Sequence, residues 1–106
     1  MIKIEERGNL TVIEFTESEP GQASLVDQIE AKLDAVIANP NSNEIVINLS
    51  QVTVTGTLFL SMLQKFDRRA TAYGLKVSLS GVSKHVAATL KMVGLGNRVQ
   101  AVYEAA

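Results

Sequence analysis

The 106-residue chain contains no cysteine, no tryptophan and only one histidine, His85. Without thiols it can form no disulfide and carry no cysteine nucleophile. A lone imidazole leaves zinc short of ligands and gives a proton relay no second member. His85 stands beside Lys84 at what reads as a helix start, a surface position. Aromatic residues make up 5% of the chain, and lysine and arginine form no dense run. A stacking platform or basic stripe for nucleic acid is therefore not expected. No apolar run approaches the ~18 residues of a membrane span. The opening MIKIEERGNL has no basic stretch followed by an apolar one, so no export signal is expected. These absences predict a cytoplasmic protein with no catalytic residue, no metal, no cofactor, and neither nucleic acid nor membrane as partner.

What is present is ordinary for a globular domain: 46% hydrophobic and 20% charged residues, with a net charge of −1. Residues 1–106 are expected to form one domain, since a chain this long can bury a core of its own. The charge is unevenly spread. Residues 1–56 hold nine acids against three bases, and residues 57–106 hold seven bases against two acids. That asymmetry suits either separate solvated helix faces or an electrostatically steered partner.

Hydrophobic period and turn residues give the element order. Residues 2–5 alternate, Arg7-Gly8-Asn9 turns, and Leu10–Phe15 returns, which predicts a hairpin. Ser24 is the expected cap of a first helix, whose inner stripe is Val26, Ile29, Leu33, Val36 and Ile37. Asn39-Pro40-Asn41 stops it. Glu44–Leu49 is nearly continuously apolar and suits a central strand covered on both faces. Val52–Thr55 is β-prone and ends at Gly56. A second helix opens at Thr57 with the stripe Phe59, Leu63, Phe66, Ala70 and Tyr73, and Gly74 closes it. Leu75–Ser80 alternates as a strand with one wet face. Ser83 caps a third helix, Gly94-Leu95-Gly96-Asn97 breaks it, and Val99–Tyr103 is a last strand. The order β-β-α-β-α-β-α-β predicts an α/β fold: a mixed β-sheet with helices packed on it through right-handed crossovers. Gly94-Leu95-Gly96 follows a helix rather than a strand, so it does not match a dinucleotide loop.

The segment EIVINLSQVTVTGTLFLS, Glu44–Ser61, resembles the hallmark region of the STAS family, the anti-sigma-factor antagonists. There a buried strand ends in a D-L-S-x-V turn, and an Asp-Ser-Ser/Thr-Gly motif opens the next helix. YGLKVSLSGV (Tyr73–Val82), Ser83-Lys84-His85-Val86, LKMVGL (Leu90–Leu95) and Val102-Tyr103-Glu104 continue the family's rhythm without a gap. The resemblance implies a non-enzymatic module that binds an anti-sigma factor which is also a serine/threonine kinase of GHKL type. It also implies a phosphorylation switch at the start of the second helix, and a homodimer is an expected state. Aligned without gaps, the family's Asp falls on Gly56, its hydroxyl residues on Thr57 and Leu58, and its glycine on Phe59. Thr57 is thus the phosphoacceptor candidate, or simply the cap of the helix. A degenerate motif also fits the alternative, a stressosome-like scaffold or a ligand-sensing, transporter-associated module that does not use phosphorylation. Apart from the resemblance, Leu58, Phe59, Leu60, Met62 and Leu63 nearly encircle the start of the second helix. A helix on a small sheet hides about one stripe. Gly56, Thr57, Leu58, Leu60, Ser61 and Met62 are therefore the expected partner-binding residues, unless the strand ends cover the apolar ones.

Overall fold

The computed structural model describes residues 2–20, 22–38, 43–100 and 102–103. Four strands form one sheet in the order β1 (Ile2–Arg7), β2 (Leu10–Phe15), β3 (Glu44–Asn48), β4 (Lys76–Ser80). β1 and β2 are the expected antiparallel hairpin, with Ile2 opposite Phe15 and Arg7 opposite Leu10. β2, β3 and β4 run parallel. The sheet is therefore mixed, and the crossovers are α1 (Ala23–Ala38) and α2 (Thr57–Ala72).

One sheet face holds the core. Ile13, Phe15, Ile45, Ile47, Val77 and Leu79 alternate onto it and meet Val26, Ile29, Leu33 and Ile37 of α1. Phe59, Met62, Leu63, Phe66 and Ala70 of α2 complete that layer. β3 differs from the expected doubly covered strand: Val46 is only half-buried, between Glu44 and Asn48 on the same side. In β4 the expected wet face is broken by Ser78, which is 5% exposed and whose hydroxyl has no hydrogen-bond partner among the described residues.

The helix ends differ from expectation at two positions. α1 begins at Ala23, and the carbonyl of Gln22 accepts from the N–H groups of Leu25 and Val26. Ser24 is thus inside the first turn and not the cap; its own carbonyl accepts from the Gln28 side chain. α2 ends one residue before Tyr73, so the apolar stripe stops with the helix and Tyr73 is 68% exposed. Gly74 takes φ +80°, and the Leu75 N–H reaches back to the Ala70 carbonyl at 3.0 Å, as a helix-ending glycine allows.

Ser83 caps α3 (Lys84–Met92) as expected, its hydroxyl accepting from the Val86 N–H at 3.3 Å. Before it lies a strand that the sequence pattern did not show, β5 (Val82–Ser83), paired in parallel with β6 (Val102–Tyr103). The expected single strand Val99–Tyr103 is interrupted. A short 3-10 turn, Gly96–Arg98, leads into a bridge from Val99 to Leu79, and β6 follows. The side chain of Gln64 donates to the Val93 carbonyl at 2.6 Å, and Arg98 pairs with Asp67 at 2.7 Å. Both contacts fasten the third helix and its following turn to α2. Among the described residues no helix is long and apolar enough to cross a membrane.

Candidate functional site

The loop from Ser50 to Gly56 joins β3 to α2 and sets the helix start. Its first half is anchored. The side-chain oxygen of Asn48 accepts from the Ser50 N–H at 2.9 Å, the Leu49 N–H donates to the Ser80 carbonyl at 2.9 Å, and Val52 is buried. Gly81, with φ +66°, leaves room for this turn. A methyl group added there would lie 2.9 Å from both Asn48 Oδ1 and Ser50 Cβ. The second half of the loop is clamped to the β2–α1 connection. The Ser18 carbonyl accepts from the Thr53 N–H at 2.9 Å and the Val54 N–H at 3.1 Å. The expected β-prone stretch Val52–Thr55 is therefore an extended loop paired with Ser18, and it is not a strand of the sheet.

Gly56 is the N-cap of α2, with φ −96° and ψ 171°, and no side chain caps the helix. Thr57 is the first helical residue and is exposed. It is therefore not the cap, because its position is one residue too far into the helix to reach back to the first-turn N–H groups. The first turn keeps unsatisfied N–H groups beside an exposed hydroxyl, a favourable setting for an anion.

The expected contact residues divide by helix face. Leu58 is 49% exposed, and Thr57 and Ser61 are exposed with it. Gly56 is half-buried, and Leu60 is half-buried against the core. Met62 is 1% exposed and belongs to the core, so it is not part of an open contact surface. It lies three residues after Phe59 and four before Phe66, on the buried stripe. The structure adds Val54, 49% exposed, from the stretch that the sequence marks only as β-prone. Val54 and Gly56 border a hollow of about 220 Å³ with Glu19 and Gln22 of the clamped connection. A valine between two threonines just before a glycine cap was the available signal.

A second hollow, about 320 Å³, lies between α1 and α2 over Leu33, Met62 and Phe66. An ion pair from Arg69 to Asp34 spans its rim. The charge asymmetry is thus partly neutralised within the fold, since Arg69 of the basic half pairs with Asp34 of the acidic half. His85 is exposed on α3, as expected. Among the described residues no group of three or more His, Cys, Asp or Glu side chains could hold a metal ion.

The sequence model described as Mlab, STAS domain, matches residues 22–102. The chain belongs to the STAS family. Solved structures agree with this STAS fold. The unphosphorylated anti-sigma factor antagonist SpoIIAA superposes with a TM-score of 0.79 at 20% identity, over 100% of this chain and 89% of that one. RsbS of Moorella thermoacetica, in a serine-to-glutamate variant, gives 0.78 at 25% identity over 99% and 87%. A STAS protein of Planctomyces limnophilus described as an anti-sigma-factor antagonist gives 0.77 at 21% over 97% and 88%. No curated protein matches the sequence.

Proposed function

We propose that this STAS domain is a non-enzymatic, cytoplasmic regulator that binds a partner protein through the start of α2, in the manner of an anti-sigma-factor antagonist. Its partner on this reading is an anti-sigma factor that is also a GHKL-type kinase. The observation that carries the reading is the pair Val54 and Leu58, each 49% exposed, on either side of Gly56 and Thr57. Two large apolar side chains held in water on a clamped loop and a helix start lose little entropy on docking. Ser61 continues the same exposed face one turn along α2.

Phosphorylation of Thr57 is physically tolerable, since the new dianion would meet first-turn N–H groups at the positive end of the helix. The neighbour that the family motif supplies is missing. Gly56 offers no carboxylate beside the acceptor, and Leu58 replaces the second hydroxyl. That observation favours a second reading, a scaffold or ligand-sensing STAS module that uses the same surface without a phosphate switch. Incubation with a GHKL-type kinase of the same organism and ATP separates the two. We expect slow or no phosphate gain in the wild type, a faster gain in Gly56→Asp, and none in Thr57→Ala. Rapid stoichiometric modification of the wild type, lost in Thr57→Ala, contradicts the loss of the switch.

A further inference from the structure

β1 is the first strand of the sheet and among the described residues pairs on one side only, leaving a row of N–H and C=O groups at its other edge. We propose that two copies of this chain pair antiparallel through that edge, with Ile4 opposite Ile4 of the second copy.

The strand's own sequence, IKIEER, selects the register. Groups that point outward alternate along a strand, so antiparallel registers about a two-fold axis differ by steps of two residues. Centred on Ile4, the pairing sets Lys3 opposite Glu5 of the second copy, twice by symmetry, and Ile2 opposite Glu6. Centred on Glu5, it sets Glu5 against Glu5 and Lys3 against Arg7. Centred on Lys3 or on Glu6, it sets like charge against like at the axis. Directly opposed like charges destabilise a strand pair and opposite charges support it. The charges that ordinarily blunt a sheet edge thus reject the registers centred on Lys3, Glu5 and Glu6.

Two structural features fit that register. Ile4 faces the same side as buried Ile13, its neighbour across the hairpin, yet remains 42% exposed, with no described strand beyond it. A second Ile4 at the axis continues the apolar layer. On the other side, Lys3 makes no ion pair among the described residues. Glu5 is held by Arg7 of its own strand at 3.0 Å, with both side chains well exposed. That contact lowers the Glu5 carboxyl and raises the Arg7 guanidinium from their usual values, so Glu5 stays ionised for Lys3 of the second copy. The interface is small, and the dimer is correspondingly a weak, reversible one.

The lack of native cysteine makes the register directly readable. Opposed residues of an antiparallel pair have Cα atoms about 4.5–5.5 Å apart, within disulfide reach. Under oxidised glutathione, which takes up the two electrons and two protons, Ile4→Cys should form a covalent dimer at twice the 11.4 kDa chain mass. Glu6→Cys should stay monomeric, since its two copies lie four residues apart along the ladder, about 13 Å. In the Ile4→Cys background, Lys3→Glu should slow cross-linking about tenfold, and adding Glu5→Lys should restore it. Circular dichroism confirms that each variant is folded. Equal rates for Ile4→Cys and Glu6→Cys, or no recovery in the charge-swapped double variant, would overturn the proposal.

Discussion

Phe15 and Phe59 meet edge to face, with ring centroids 5.1 Å apart and planes 89° apart. Both rings are fully buried. The contact joins the end of β2 to the first turn of α2, so it holds the helix start against the sheet where Thr57 and Leu58 are displayed.

The first prediction follows from that contact. Phe59→Ala removes a buried ring and its edge-to-face partner, and should cost about 3–5 kcal/mol. Domains of this size have only about 5–15 kcal/mol in total. Urea denaturation should show a much lower midpoint. A change under about 1 kcal/mol would mean that the ring is not packed as described.

The link between α2 and the segment after α3 makes a second prediction. Arg98 donates to both carboxylate oxygens of Asp67, whose side chain is only 14% exposed. Removing the cation strands a largely covered carboxylate. Arg98→Ala should therefore cost about 1–3 kcal/mol, more than Arg7→Ala, where the Glu5–Arg7 pair is well exposed. Thermal midpoints of the two variants, measured together, check the order.

Much of this fold was legible because hydrophobic period and turn residues agreed. Val26, Ile29, Leu33 and Ile37 fall on one stripe, and burial follows it. Ser83 and Gly74 also act as their residue types suggest. The misreadings have local causes. Ser24 looks like a cap, but Gln22 accepts the first backbone bonds, so the helix starts earlier. Tyr73 continues the spacing of the α2 stripe, but the helix has ended there. β5 is two residues long and owes its pairing with β6 to tertiary approach, which leaves no periodic signal. At the site, the position of the helix start was readable, but its exposed face was not. Five apolar residues within Leu58–Leu63 fit several orientations, and only packing assigns Met62 to the core and Leu58 to solvent.

That division makes a third prediction. Met62→Glu buries a carboxylate without a partner and should unfold the domain or neutralise the acid at a cost of several kcal/mol. Leu58→Glu should leave the thermal midpoint within a few degrees of wild type. Equal damage from both changes would contradict the assignment of faces.

A fourth prediction concerns Gly81. A side chain there meets a left-handed backbone and the Asn48–Ser50 turn at 2.9 Å. Gly81→Ala should lower stability by about 1–3 kcal/mol and loosen the loop leading to Gly56. Faster amide exchange at the Ser50 and Val52 N–H groups would register the loosening.

The proposed partner, a GHKL-type anti-sigma factor kinase of the same organism, is titrated with this protein by calorimetry as the most direct test. Wild type, Leu58→Glu and Val54→Glu should be measured side by side at matched, verified folding. Saturable binding by the wild type and a loss of at least about tenfold in each variant are expected, since a charge at the centre of an apolar contact costs more than about 1.4 kcal/mol. Saturable binding that both variants retain unchanged would contradict a partner surface at the start of α2.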